Sequence, residues 1–274
     1  MEKKYARLAA LLTVAVLCGN GAPSMAADWW VGDGTETIKI TAGNASEIRG
    51  VVYGNHDTID TTTGAVTGHV EMTGGTVDYS VYGGRADDTA DVKASTVTIT
   101  GGGTVKVDIY GGSSNTGSAT YNTVTITGGE VTGDICGGYS GGGSATDNKV
   151  TIIGGKVGGD VYGGFSGAGT ANDNTVALLG SADVKASDLY GRNNESKGSG
   201  NALVLDDWSG TVKSLHNFDA IDFENIDLSQ GAKLDVTDEI NGQLRRKERG
   251  DLDQFPESGR LCRRRDKSDG HVGY

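Results

Sequence analysis

A repeat constrains this chain more than any other feature. Val-Tyr-Gly or a close variant recurs as Val52-Tyr53-Gly54, Val81-Tyr82-Gly83, Ile109-Tyr110-Gly111, Ile135-Cys136-Gly137, Val161-Tyr162-Gly163 and Leu189-Tyr190-Gly191. Successive copies lie 29, 28, 26, 26 and 28 residues apart. A second marker, Gly-Gly, begins at Gly74, Gly101, Gly128 and Gly154, at intervals of 27, 27 and 26. Two independent markers with one period indicate a repeat architecture.

Between the markers the grammar is constant. Thr123-Val124-Thr125-Ile126-Thr127 alternates polar and apolar, as a strand with one buried face does. Gly128-Gly129 turns the chain, and Val131 to Ile135 reads as a second short strand. Gly137 to Ser144 reads as a polar loop leading into the next coil. No apolar spacing of 3.6 residues follows residue 27, so no helix is expected. The expected fold is all-β, a right-handed parallel β-helix or β-solenoid over residues 28–240 with seven to eight coils. At about 4.8 Å per coil the rod would be roughly 35–40 Å long.

Stacking predicts ladders of equivalent residues. Asn122, Asn148, Asn174 and Asn201 recur at 26, 26 and 27 residues, each just before a strand. An inward asparagine can bond to the one above it and to turn backbone. Val97, Val124, Val150, Val176 and Leu203 form an apolar ladder beside them. Tyr53, Tyr82, Tyr110, Tyr162 and Tyr190 form an aromatic one, interrupted at Cys136. The 46 glycines in 274 residues fit corners and close coil contacts. With only 2 prolines and no Gly-X-Y triplet, collagen is excluded.

The two ends have other characters. Residues 1–27 read as an export signal: basic Lys3, Lys4 and Arg7, an apolar run from Leu8 to Leu17, and small residues allowing cleavage after Ala26 or Ala27. Ten apolar residues are too few to span a bilayer core of about 30 Å, so the mature chain is expected to hold no stable membrane span. A lipid attachment at Cys18 would place Leu17 where a small residue is needed. Cys136 is then the only cysteine of the body, which excludes an internal disulfide framework. Residues 241–274 form an irregular basic tail, including Arg260 and Arg263-Arg264-Arg265, without strand alternation. A solvated end, a basic binding tail and a shifted reading frame after Gly242 all account for it. Codons exist for which a one-base shift restores alternating, repeat-like sequence there. The body between the ends carries a net charge of −17, which argues against nucleic acid and anionic membrane as partners.

The unit Asn148-Lys149-Val150-Thr151-Ile152-Ile153-Gly154-Gly155, continued by Val157-Gly158-Gly159-Asp160-Val161-Tyr162-Gly163-Gly164, resembles the passenger regions of Gram-negative bacterial autotransporters, the type V secretion proteins. The run from Trp208 through Leu215-His216-Asn217-Phe218 to Phe223 is similar to their late passenger coils. The resemblance covers about residues 35–240 and implies a surface-displayed or secreted β-helix, frequently adhesive. Full members carry a C-terminal membrane barrel of alternating strands of about ten residues. The chain is read as a truncated passenger lacking that barrel, so cell-surface or extracellular display and periplasmic retention are both expected destinations.

Chemical motifs read weakly against this background. Gly138-Tyr139-Ser140-Gly141-Gly142 has the nucleophile-elbow spacing, but no helix follows and Gly164-Phe165-Ser166 repeats the turn. Gly154 to Tyr162 resembles the calcium-binding nonapeptide, with Val157 and Gly159 in the wrong places. Asp108, Asp134, Asp160 and Asp188 form a like-charge ladder, expected to be solvated outward carboxylates. His56, His69, His216 and His271 are scattered with no ligand spacing, which argues against a zinc site. Asp206-Asp207 beside Trp208 is the one acid-aromatic cluster suggestive of a glycosidase or polysaccharide lyase, yet neighbouring strand residues face opposite sides. No catalytic, cofactor-binding or metal residue is therefore assigned, and no cofactor is expected. The expected function is a non-catalytic, exported structural or adhesin-like surface module, with a carbohydrate-active β-helix enzyme as the alternative. Host-surface or glycan ligands are the expected partners. Unpaired coil edges favour self-association.

Overall fold

In the computed structural model, residues 29–43, 47–225, 234–238, 240–241 and 245–246 of the 274-residue chain are described. The export signal, His271 and the tail beyond residue 246 lie outside them. Among the described residues every regular element is a strand, and they wind through about seven turns. One complete coil comprises Thr123–Ile126, Glu130–Val131, Ile135–Ser140 and Ala145–Thr146. The next repeats it as Lys149–Ile152, Lys156–Val157, Val161–Ser166 and Ala171–Asn172.

Equivalent strands pair in parallel, each with its counterpart one coil away. The Thr-Val-Thr-Ile strands build a nine-stranded sheet, here the threonine sheet. The Val-Tyr-Gly strands build a second nine-stranded sheet, the tyrosine sheet. Two narrower sheets, of five and six strands, close the remaining sides. Register follows the repeat: Val52, Val81, Ile109, Ile135, Val161, Leu189 and Leu215 stand in one column. Among the described residues, antiparallel pairing occurs in a hairpin where Ile59–Asp60 meets Ala65–Val66 and at the single bridge between Asp33 and Asn55.

The core is an apolar column inside this tube. Each coil contributes the inward residues of the threonine sheet, such as Val124 and Ile126, one from the tyrosine sheet, Ile135, and one from the five-stranded sheet, Val131. All four are fully buried, and burial of each contributes about 1.5–3 kcal/mol. A single coil exposes these groups at both ends, so they are covered only when coils stack.

The asparagine ladder forms as the spacing predicts. Asn122 donates from its backbone N–H and from Nδ2 to Asn148 Oδ1, both at 3.0 Å. Asn148 repeats this to Asn174 at 3.1 and 3.0 Å, and Asn174 to Asn201 at 3.1 and 3.0 Å. Each Nδ2 also reaches a carbonyl of the six-stranded sheet or its continuation, as Asn148 does to Ala119 at 2.9 Å. The column continues at Ser95 on one side, whose N–H bonds Asn122 Oδ1, and at Asp219 on the other. Immediately before it runs a left-handed corner: Ala94, Tyr121, Asp147 and Asp173 have φ between 53° and 58°. That conformation is uncommon for residues with a Cβ.

The secondary-structure boundaries differ from the sequence reading in two places. Residues 131–135 are not one strand: Glu130–Val131 ends, and a separate strand begins at Ile135. Gly137 to Ser140 belong to that strand rather than to a loop, which starts at residue 141, and Ala145–Thr146 adds a fourth strand. Beyond residue 240 the ladder goes on: Ile240–Asn241 pairs with Leu215 and His216, and Arg245–Arg246 with Ala220 and Ile221.

Candidate functional site

The outer face of the tyrosine sheet is where this otherwise uniform rod gathers unlike side chains. Its strand has the form Val-Tyr-Gly-Gly-x-Ser, and the first glycine drops out of the pairing between neighbouring strands. Inward Ile135 and Gly138 are three residues apart, so the bend resets the alternation and turns both Cys136 and Tyr139 outward. The two glycines have separate reasons. A Cβ on Gly137 would overlap the Gly163 carbonyl of the next coil, and one on Gly138 would overlap the Asn148 side chain. The sheet therefore carries two outward columns side by side. One holds Tyr53, Tyr82, Tyr110, Cys136, Tyr162, Tyr190 and His216. The other holds His56, Arg85, Ser113, Tyr139 and Phe165.

The rings make one continuous stripe. Tyr53 stacks on Tyr82 at 5.2 Å between centroids and Tyr82 on Tyr110 at 4.8 Å. At Cys136 the stripe crosses columns: Tyr110 meets Tyr139 edge-on at 6.0 Å, and Tyr139 stacks on Phe165 at 5.0 Å. Phe165 meets Tyr162 edge-on at 5.8 Å, and stacking resumes through Tyr190 at 4.5 Å to His216 at 4.4 Å. The sequence reading placed an interruption at Cys136, and the residue that spans it lies three positions along the same strand. Cys136 is itself buried, with Sγ 3.2 Å from the Gly138 carbonyl, and burial pushes its thiol well above the usual range.

Burial also raises the hydroxyls of Tyr53, Tyr82, Tyr110 and Tyr162, so these four stay protonated and able to donate. Where the second column shrinks to Ser113, between Arg85 and Tyr139, an open cavity of about 300 Å³ forms. Tyr82, Tyr110 and Tyr139 supply its aromatic walls, and Arg85, Ser113 and Asn115 supply polar groups. The Arg85 guanidinium lies 5.0 Å from the Tyr82 ring centroid, an arrangement with cation–π attraction. Aromatic surface with a few convergent polar groups is what a small ligand segment needs. A shallower depression of about 460 Å³ on the threonine sheet is lined by Thr37, His69, Glu71, Thr96 and Thr98.

Other residues singled out in the sequence fall into structural roles. Ser140 is buried and its hydroxyl donates to the Gly117 carbonyl at 2.7 Å, as Ser166 does to Gly143 at 2.8 Å. Trp208 is in the core, its Nε1 donating to the Ala182 carbonyl at 3.0 Å, and so offers no surface platform beside Asp206 and Asp207. Asp206 accepts from Asn225 Nδ2 at 2.8 Å, and Asp207 is exposed in a left-handed turn with φ 46°. The aspartate ladder is tied to backbone: Asp108 Oδ1 accepts the Asp134 N–H at 2.9 Å, Asp134 that of Asp160 at 2.8 Å, and Asp160 that of Asp188 at 3.0 Å. Lys213 closes one end on Asp188 at 2.8 Å. Desolvation, with Asp188 and Asp134 alongside, pushes the Asp160 carboxyl up. His69 Nδ1 bonds the Thr96 hydroxyl at 2.9 Å.

Comparison with protein-family models, with curated proteins and with solved structures returns no match. The resemblance to autotransporter passengers thus rests on the coil grammar alone.

Proposed function

We propose that this chain is an exported, non-catalytic surface scaffold of adhesin type, in the manner of an autotransporter passenger, and that its tyrosine face is the contact surface. The observation that carries the reading is the aromatic stripe, which passes from coil to coil across Cys136 and opens into a polar-edged cavity at Ser113. Regular coils supply length, and a repeated aromatic face supplies many weak contacts whose avidity grows with the number engaged. Tyrosine suits such a surface because a rigid ring adds apolar area while its hydroxyl bonds to a polar partner. Glycan chains, with apolar ring faces and hydroxyl rims, have the matching chemistry.

The test is a panel of polysaccharides and host-surface glycans screened for both binding and turnover. Expected is binding without turnover, weakened about tenfold or more by Tyr139→Ala, which opens the stripe at its crossing. Turnover abolished by Asp207→Asn would replace this reading with a carbohydrate-active enzyme.

A further inference from the structure

His56, Asp57 and Asp87 come together at one edge of the tyrosine face, although they show no ligand spacing along the chain. His56 ends a strand, Asp57 follows it, and Asp87 stands one coil away in the turn after Val81–Ala86. His56 Nε2 lies 3.3 Å from Asp57 Oδ2 and 2.9 Å from Asp87 Oδ2, and the three donor atoms all fall within 4.8 Å of one another. Zinc binds imidazole nitrogen and carboxylate oxygen at about 2.0–2.2 Å, which in tetrahedral geometry separates neighbouring donors by roughly 3.4 Å. The two imidazole–carboxylate spacings lie within about 0.5 Å of that value.

The surroundings fix these donors as second-layer contacts fix metal ligands. Asp57 accepts the Asp87 backbone N–H on Oδ1 at 2.7 Å, which leaves Oδ2 directed at His56. Asp87 accepts Arg85 Nε on Oδ1 at 2.7 Å, which likewise leaves Oδ2 directed at His56. The Asp57 backbone N–H is held by the Arg85 carbonyl at 2.9 Å. The imidazole is clamped by Tyr53, stacked at 4.7 Å and 13°. Each of the three groups thus presents one atom to a common point and is held by a further contact of its own.

We infer that His56, Asp57 and Asp87 form a binding site for a borderline divalent transition-metal ion such as zinc. One neutral imidazole, its single proton then carried on Nδ1, and two carboxylates balance the ion's charge, and the ion takes the place of the hydrogen on Nε2. The nitrogen donor and the presence of only two carboxylates favour this class over calcium, which prefers six to eight oxygens. The half-exposed carboxylates, at 44% and 51%, leave the outward coordination position open to water or to a ligand hydroxyl. This site does not depend on the adhesin reading, and its test involves no glycan.

The test is titration of the folded chain with zinc chloride alone by calorimetry, with cobalt(II) absorbance and histidine NMR in parallel. The expected result is one zinc equivalent that His56→Gln and Asp87→Asn each weaken about tenfold or more. In the unaltered chain, zinc should shift the His56 imidazole resonances and leave those of His69 and His216 in place, a readout that requires no variant to fold. The inference is overturned if wild type takes up no zinc, if both variants retain wild-type affinity, if the His56 resonances stay unmoved, or if the cobalt complex shows a thiolate charge-transfer band.

Discussion

Asn148 shows how much of the stack one side chain holds. Its Oδ1 accepts two bonds from Asn122, its backbone N–H and Nδ2 both reach Asn174, and Nδ2 also holds the Ala119 carbonyl. It is 1% exposed, so no water replaces what is removed. Asn148→Ala should lower stability by on the order of 3 kcal/mol, since buried groups left without partners cost about 1–3 kcal/mol each; urea denaturation followed by circular dichroism measures it. Asp160 behaves oppositely. An acid whose folded pKa lies above its unfolded value loses stability as pH rises, beginning near the ordinary carboxyl value of 3.8. Asp160→Asn keeps the oxygen that accepts the Asp188 N–H and removes the charge. The variant should melt higher than wild type at pH 7, with the gap closing as the pH falls toward 4. The asparagine column was legible in the sequence because its spacing is nearly constant. The left-handed corner before it was not, since Ala94 and Tyr121 share no side-chain chemistry with Asp147 and Asp173.

At the scale of the strand, Ile135–Ser140 reverses an ordinary expectation. Glycines weaken a strand through entropy, which is why this run reads as a loop. Here they are required by what lies behind them. Gly137→Ala and Gly138→Ala should each prevent stable folding or lower the melting temperature steeply, because the obstructing atoms belong to the adjacent coil and to the asparagine column. Gly102→Ala, with nothing within 4 Å of its added Cβ, should leave the melt within a degree or two of wild type. The same strand holds Cys136 buried where the aromatic stripe crosses from one column to the other. Its thiol should resist modification by a disulfide reagent in the native protein and react fully in urea. Rapid native labelling would show that Tyr139 and Phe165 do not close over it. The crossing through these two rings is not legible in the repeat because it joins two columns rather than following one. The cluster of His56, Asp57 and Asp87 was missed for a related reason, since its spacing runs across coils rather than along the chain.

Across the whole molecule, the period legible in two sequence markers is the register of the stack. Val-Tyr-Gly columns and Asn columns align without slippage through coils of different length, because the extra residues are absorbed in turns between strands. Stability is then nearly a sum over coils and their interfaces, and a coil removed whole leaves every surviving ladder matched. The most direct test is a pair of deletions. Removing residues 149–174 joins Asn148 to Thr175 and takes out one 26-residue period, whereas removing 149–161 takes out half of one and joins Asn148 to Tyr162. Thermal unfolding monitored by circular dichroism should show a cooperative β-sheet transition for the full-coil deletion and none for the half-coil deletion. Equal loss of the transition in both, or its survival in both, would contradict the stacked-coil account.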